Sequence, residues 1–316
     1  MPVTLAQARL LTQDKLARQV IDEFRADALL GSMLFDDNAA YSGGSTLNYV
    51  YNRVNTMRSA SFREINTEYT AEHADTKLVT ATLKPLGGTF ALDRVIAAYV
   101  HGVTDQVTFQ MGQLIAATRA KFSDAFINGD VAVDSKSFDG LDKAIAGSTT
   151  EVIPTSAIDL SSSAAIDTNW KVFLDTLRRA VAKLDGTSTM IIVNRETYSV
   201  FQSIADRAAS FTIGRNEIGN ETLQWNGIPL VVLGDKPASS DPIISIEGDG
   251  TTSLYLARIG IDGVHAISPE GGAGISTWMP DFTNVEAVQL GGTEMVTAMA
   301  LKATRAAGVL RKIKVS

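Results

Sequence analysis

The sequence contains no cysteine, three histidines and few aromatic side chains. Without cysteine there is no disulfide, no thiolate nucleophile and no sulfur ligand for a metal, which fits production inside a cell. His73, His101 and His265 are far apart, and none has a carboxylate or a second histidine at ligand spacing. The zinc-protease, dithiol, nucleophile-elbow and phosphate-loop patterns are all missing. Aromatics make up 7% of the chain, so the core must be built from Ala, Val, Leu and Ile. No apolar run approaches the ~20 residues of a membrane-spanning helix, and the N-terminus lacks the apolar region of a signal peptide. A formal net charge of −7 argues against a chain built mainly to grip nucleic acid.

What is present is an ordinary globular composition, 45% hydrophobic and 20% charged, over 316 residues. That length suits two compact units or one extended subunit with several lobes. The organising stretch is 104–128, where Val107, Met111, Leu114, Thr118, Phe122 and Ala125 recur at helical spacing and Ile115 and Phe126 widen the stripe. Thr104 is placed to cap this helix, Asp105 suits its positive end, and Asn128-Gly129 predicts a left-handed stop. At ~1.5 Å per residue the helix would run roughly 37 Å.

Ahead of it, residues 12–27 carry Leu16, Val20 and Phe24 every fourth position, a narrow stripe on a helix. Such a stripe packs either on its own domain or on another subunit. A Gly-, Ser- and Asp-rich connector follows. Residues 46–54 and 77–84 then alternate, with Leu47, Tyr49 and Tyr51 on one face of the first strand and Val79, Ala81 and Leu83 on one face of the second. Between them, 55–76 is crowded with polar residues and mixed charge, including Arg58, Arg63, Glu64, Glu68, Glu72 and Asp75. The simplest geometry is a long antiparallel hairpin whose far end leaves the core, either as a solvated loop or as a binding element. Pro85-Leu86-Gly87-Gly88 reads as a turn, and 92–99 as a short helix.

From residue 151 helices and strands alternate, which predicts an α/β lobe: a helix over 169–184 ended by Gly186, buried strands at 190–193 and 228–233, and a turn at Trp225-Asn226-Gly227. From 285 onward the chain reads as sheet. Gly271-Gly272-Ala273-Gly274 lacks the following helix that an anion cradle needs, and Asp36-Asp37 and Asp139–Asp142 lack calcium-loop spacing. After Glu294 come Lys302, Arg305, Arg311, Lys312 and Lys314 with no side-chain carboxylate, read as cations on the solvent face of a strand, with phosphate contact as the second reading. These residues alone define an extended, oligomeric, non-enzymatic α+β subunit.

The order of these pieces resembles the major capsid protein of tailed double-stranded DNA bacteriophages, the Hong Kong 97-like fold, and within it the capsid proteins of phages infecting actinobacteria. The resemblance is carried by Ala125-Phe126-Ile127-Asn128-Gly129-Asp130, by Phe138-Asp139-Gly140-Leu141, by Met190–Asn194 and by 225–232 (W-N-G-I-P-L-V-V). It covers nearly the whole chain through order and spacing, without one invariant signature. It implies an N-arm at 1–45, an E-loop at 46–90, a peripheral domain at 91–150 with the spine helix at 104–128, an axial domain at 151–284, and peripheral return strands at 285–316.

The resemblance further implies a structural protein of the virion, not an enzyme, with neither cofactor nor metal. Its copies would form pentamers and hexamers tiling an icosahedral shell around packaged double-stranded DNA, assembled in the host bacterial cytoplasm. Leu16, Val20 and Phe24 of the arm, and Arg58, Arg63, Glu64, Glu68, Glu72 and Lys77 of the hairpin, become candidate subunit contacts. Expected partners are further copies of the chain, a separate scaffolding protein, a portal at one vertex, DNA through non-specific contact and, optionally, a decoration protein. Some relatives join subunits through a Lys–Asn isopeptide bond assisted by a buried Glu. Lys77 and Lys84 flank the hairpin, but no motif places the other two partners, so the cross-link is not carried over. Three alternatives remain: an encapsulin-like compartment shell, a two-domain α/β enzyme with its site in 151–284, and a binding module such as a tail or adhesin protein.

Overall fold

Strict alternation of apolar and polar residues makes strands, and a 3.6-residue period makes a helix; both rules operate on either side of residue 100. The computed structural model describes residues 28–36, 47–56, 60–71, 75–99, 106–208, 210–215, 221–269, 275–281 and 286–316. The first half contains α1 (Ala28–Ser32), β1 (Phe35–Asp36), β2 (Asn48–Thr56), β3 (Asp75–Thr82), β4 (Lys84–Asp93), α2 (Arg94–Tyr99), α3 (Gln106–Asn128) and α4 (Leu141–Ile145). Next come β5 (Glu151–Val152), β6 (Ile158–Asp159), α5 (Ser163–Ala182), β7 (Met190–Val193), α6 (Arg195–Ala205), β8 (Phe211–Arg215), β9 (Glu221–Trp225) and β10 (Ile228–Val232). The chain continues with β11 (Thr251–Ala257), β12 (Val264–Ile267), β13 (Ile275–Trp278), β14 (Val288–Leu301) and β15 (Ala307–Lys314).

An eight-stranded mixed sheet runs β5-β15-β11-β7-β10-β9-β8, with β6 also on β15. Its pleat sends alternate residues to two separate cores. Ile191, Val193, Leu254, Leu256 and Leu310 face α5 and α6, where Phe173, Leu177, Phe201 and Ile204 are fully buried. Met190, Ile192, Tyr255 and Val309 face the other way, onto Phe122, Phe126 and Ile127 of α3 and Leu141 and Ile145 of α4. Ser162 caps α5 by accepting from Ala165 N, which starts that helix before the expected residue 169. Asn226 and Gly227 both take positive φ, the geometry of a type I′ turn between β9 and β10.

The second sheet is built on β14, which pairs with β4 from Val288↔Asp93 to Thr297↔Lys84 and lies between β4 and β13 over Gly292–Met295. Further along, β14 pairs with β12, and β12 carries the short β1. Two sequence expectations are revised here. Pro85-Leu86-Gly87-Gly88 forms no turn: it belongs to β4, and the glycines serve close packing. A Cβ on Gly87 would lie 2.1 Å from Thr293 O, and one on Gly88 would lie 2.8 Å from Leu114 Cδ1 of α3. Leu92 and Asp93 accordingly end the strand, and the helix begins at Arg94.

The apolar stripe of α3 buries Met111, Ile115, Thr118, Phe122, Ala125 and Phe126 as expected. Thr104 and Asp105 lie outside the described residues. Gly129 does not take a left-handed conformation. It is glycine because Phe138 O would lie 2.2 Å from a Cβ there, in a tight crossing where Gly140 N donates to Gly129 O. The strands are also distributed differently from the expected spans. β12 and β13, within 151–284, pair with β14, whereas β15, within 285–316, sits in the eight-stranded sheet between β5 and β11. β12 is buried on both faces, so its sequence carries no sign of which sheet it joins.

Candidate subunit-contact surface

β2 and β3 pair only with each other among the described strands, from Asn48↔Thr82 to Val54↔Thr76 and Thr56↔Asp75. Alternation buries Tyr49 and Tyr51 against the core, with Val79 and Ala81 packed beside them; Leu47, expected on the same face, precedes β2 and is 54% exposed. Beyond the strands, every described residue of 60–71 is exposed. Within that loop Thr67 N and Thr67 Oγ1 both donate to Glu64 O, at 3.2 and 2.8 Å, and Asn66 takes a φ of 68°. Arg63 donates from Nη1 to Glu64 O and Thr67 O, and its guanidinium lies 5.3 Å from the centre of the Tyr69 ring. Arg63 therefore holds the shape of the loop.

Of the candidate contacts, Arg63, Glu64, Glu68 and Lys77 are described and exposed, and Lys77 pairs across the ladder with Arg53. Leu16, Val20, Phe24, Arg58 and Glu72 lie outside the described residues, as do His73, His101 and the 271–274 glycine cluster. The charge pattern drew attention away from the apolar members of the loop. Phe62 is fully exposed, Ile65 is 89% exposed and Tyr69 63%, an unusual concentration of bare apolar area. Their signal in the sequence is plain in retrospect: three large apolar residues inside a polar segment.

The hairpin base is fastened by a buried polar group. Tyr49 Oη donates to Asp36 Oδ2 at 2.7 Å, Tyr51 Oη donates to Leu301 O at 3.1 Å, and Arg53 donates to the same carbonyl. Lys302 Nζ lies 3.8 Å from Asp36 Oδ2 and 5.3 Å from the Tyr49 ring centre. Burial, followed by the Asp36 contact, raises the Tyr49 pKa, so the phenol stays a proton donor. Of the two lysines that flank the hairpin, Lys84 donates from Nζ to Ser135 O.

Part of the basic C-terminal stretch is engaged by the chain itself, while Arg305 and Lys312 are exposed. Arg311 forks between Asp142 Oδ1 at 2.7 Å and Glu151 Oε1 at 2.5 Å, and Tyr255 Oη donates to Asp142 Oδ1 at 2.8 Å. Burial works to raise the Glu151 carboxyl, but the Gly147 N–H and the Arg311 guanidinium outweigh it and hold the pKa below its ordinary value. Arg305 Nε donates to Lys183 O. Asp130 and Asp139 share Lys143 at 2.5 and 2.8 Å. No group of three or more His, Asp or Glu residues suited to a metal occurs among the described residues, and no helix there is long and apolar enough to cross a membrane.

The sequence matches no protein-family model and no curated protein. The fold has clear counterparts. It is similar to the holo-SrpI encapsulin complex from Synechococcus elongatus PCC 7942, with a TM-score of 0.60 and 16% identity over 85% of this chain and 83% of that one. The capsid of a native GTA particle gives a TM-score of 0.56 and 12% identity, over 89% and 92% of the two chains. A chain of Mycobacterium phage Che8 gives 0.51 and 11%, over 90% and 91%. The chain thus has the Hong Kong 97-like fold, an α+β architecture.

Proposed function

We propose that this chain is a structural major capsid protein of a tailed double-stranded DNA bacteriophage, which assembles as pentamers and hexamers into an icosahedral shell. The observation that carries the reading is the pairing of a Hong Kong 97-like fold with a projecting hairpin. The loop of that hairpin leaves Phe62, Ile65 and Tyr69 bare in the single chain. Apolar area of that kind is stabilised by covering it, and a shell supplies the cover from neighbouring copies. The subunit works by tiling, not by catalysis, and its place is the virion. On this reading 1–45 is the N-arm, 46–90 the E-loop and 104–128 the spine helix; the peripheral domain centres on the β14 sheet and the axial domain on the eight-stranded sheet.

The partners follow from the same reading: other copies of the chain, a separate scaffolding protein, a portal at one vertex, enclosed DNA and optionally a decoration protein, with assembly in the host cytoplasm. Contact with DNA would be weak, because Lys302, Arg305 and Arg311 already face groups of the chain itself. The likeness to the encapsulin complex favours a second reading, a compartment shell loaded with cargo. Negative-stain electron microscopy with size-exclusion chromatography of the purified chain tests both. Shells, tubes, sheets or rings support a tiling subunit. A compact monomer at every concentration, persisting with the scaffolding protein present, refutes it. Portal and terminase genes beside the coding sequence favour the phage capsid, and a cargo enzyme gene favours the compartment.

A further inference from the structure

His265 lies in β12 at 0% exposure, and no well-aligned hydrogen bond reaches either ring nitrogen, although the peptide groups of Gly260 and Gly263 lie close enough to favour its charged form. A buried imidazole in that state is costly, and it sits where the hairpin is fastened. From β1, Asp36 Oδ2 lies 3.9 Å from its Nε2; from β2, the Tyr49 ring stands edge-on at 6.0 Å. From the end of β14, Lys302 reaches the same Asp36 carboxylate. In the turn before β12, Asp262 is engaged by Arg258 Nη1 at 2.7 Å, and the backbone of Gly260 and Gly263 closes the remaining side.

One carboxylate thus serves three claimants: the Tyr49 hydroxyl, the Lys302 ammonium and, once charged, the His265 imidazolium. We propose that His265 is an acid-sensitive latch on the β2–β3 hairpin. The enclosed ring tolerates a proton from solvent poorly, so protonation favours opening of the hairpin base away from β1 and β12, the Tyr49–Asp36 contact parting as the imidazolium reaches water. Burial first, and Lys302 second, hold the closed imidazole below its ordinary pKa against the opposing pull of Asp36 and the peptide groups. In the opened state the ring is solvated and titrates near the ordinary value of about 6.5. The open state therefore binds more protons, so the latch holds above that value and weakens as pH falls through it. By pH 5 the opening equilibrium shifts by up to about thirtyfold. The latch is a property of the single chain and stands whether or not the chain builds shells.

The test is hydrogen–deuterium exchange of the purified full chain from pH 7.5 to 5.0, corrected for intrinsic exchange. The expected result is a progressive loss of protection in 47–56 and 75–82, of at most about thirtyfold, with β7 and β11 unchanged. H265Q should abolish the pH dependence, whereas H73Q and H101Q should keep it. Protection that does not change with pH, or that changes equally in H265Q, overturns the latch. Should H265Q not fold, the wild-type imidazole resonance decides: a His265 signal that titrates near 6.5 while hairpin protection stays constant overturns it equally.

Discussion

The hydroxyl of Tyr49 donates to Asp36 Oδ2 across 2.7 Å, so the base of a projecting hairpin is tied to a strand that itself rides on β12. Asp36 is 6% exposed, and the bond satisfies a carboxylate that has little access to water.

Tyr49→Phe keeps the ring and removes that donor. The expected loss is about 1–2 kcal/mol, because a buried acceptor is left short of a partner. Urea denaturation measures it, and a midpoint equal to wild type would show that the Tyr49 bond adds nothing to stability.

Arg311 joins α4 to both β5 and its own strand through Asp142 and Glu151. Arg311→Met should cost about 2 kcal/mol, less than for a fully buried pair because the site is partly solvated. The folded state holds Glu151 below its ordinary value, so its contribution is complete above about pH 4.3 and disappears as pH falls through the lower folded value. Denaturation from pH 7 to 3 should therefore show a smaller acid loss in the variant than in wild type.

Gly129→Ala should destabilise by about 1–3 kcal/mol or more, since the added methyl meets backbone oxygens of Phe138 and Ala125. Neither oxygen can rotate away as a side chain would. A thermal midpoint within a degree of wild type would show that the crossing relaxes freely.

Phe62→Ser combined with Ile65→Ser alters exposed residues alone, so the fold should keep its stability to within about 0.5 kcal/mol. Assembly should nonetheless fail or yield only small rings under the electron microscope. Normal shells from the double variant would show that the loop's apolar residues are not covered by a neighbour.

The hairpin and the long helix were legible because their periods are clean: Tyr49 and Tyr51 alternate on β2, and Met111, Ile115, Thr118 and Phe122 march along α3. Sheet membership was not legible, because β12 is buried on both faces and β15 over its first half, and neither keeps a pattern there that names a neighbour. The polar group at the hairpin base escaped for another reason. Asp36, Tyr49, His265 and Lys302 are brought together only by β12 and β14, and dispersed histidines read as an absence of chemistry. Of the contact candidates, those with charge stood out in the sequence, while Phe62 and Ile65 looked like incidental members of a polar loop.

The placement of β14 and β15 also sets an order of events during synthesis. Each of the two large sheets closes around a strand that leaves the ribosome after residue 287, and the Tyr51–Leu301 bond spans 250 positions. While the earlier residues emerge, β4 lacks its ladder and β11 lacks one neighbour, so the non-local pairings must wait. The two large sheets, and the tie that holds the hairpin base to Leu301, are therefore completed only once nearly the whole chain has been made.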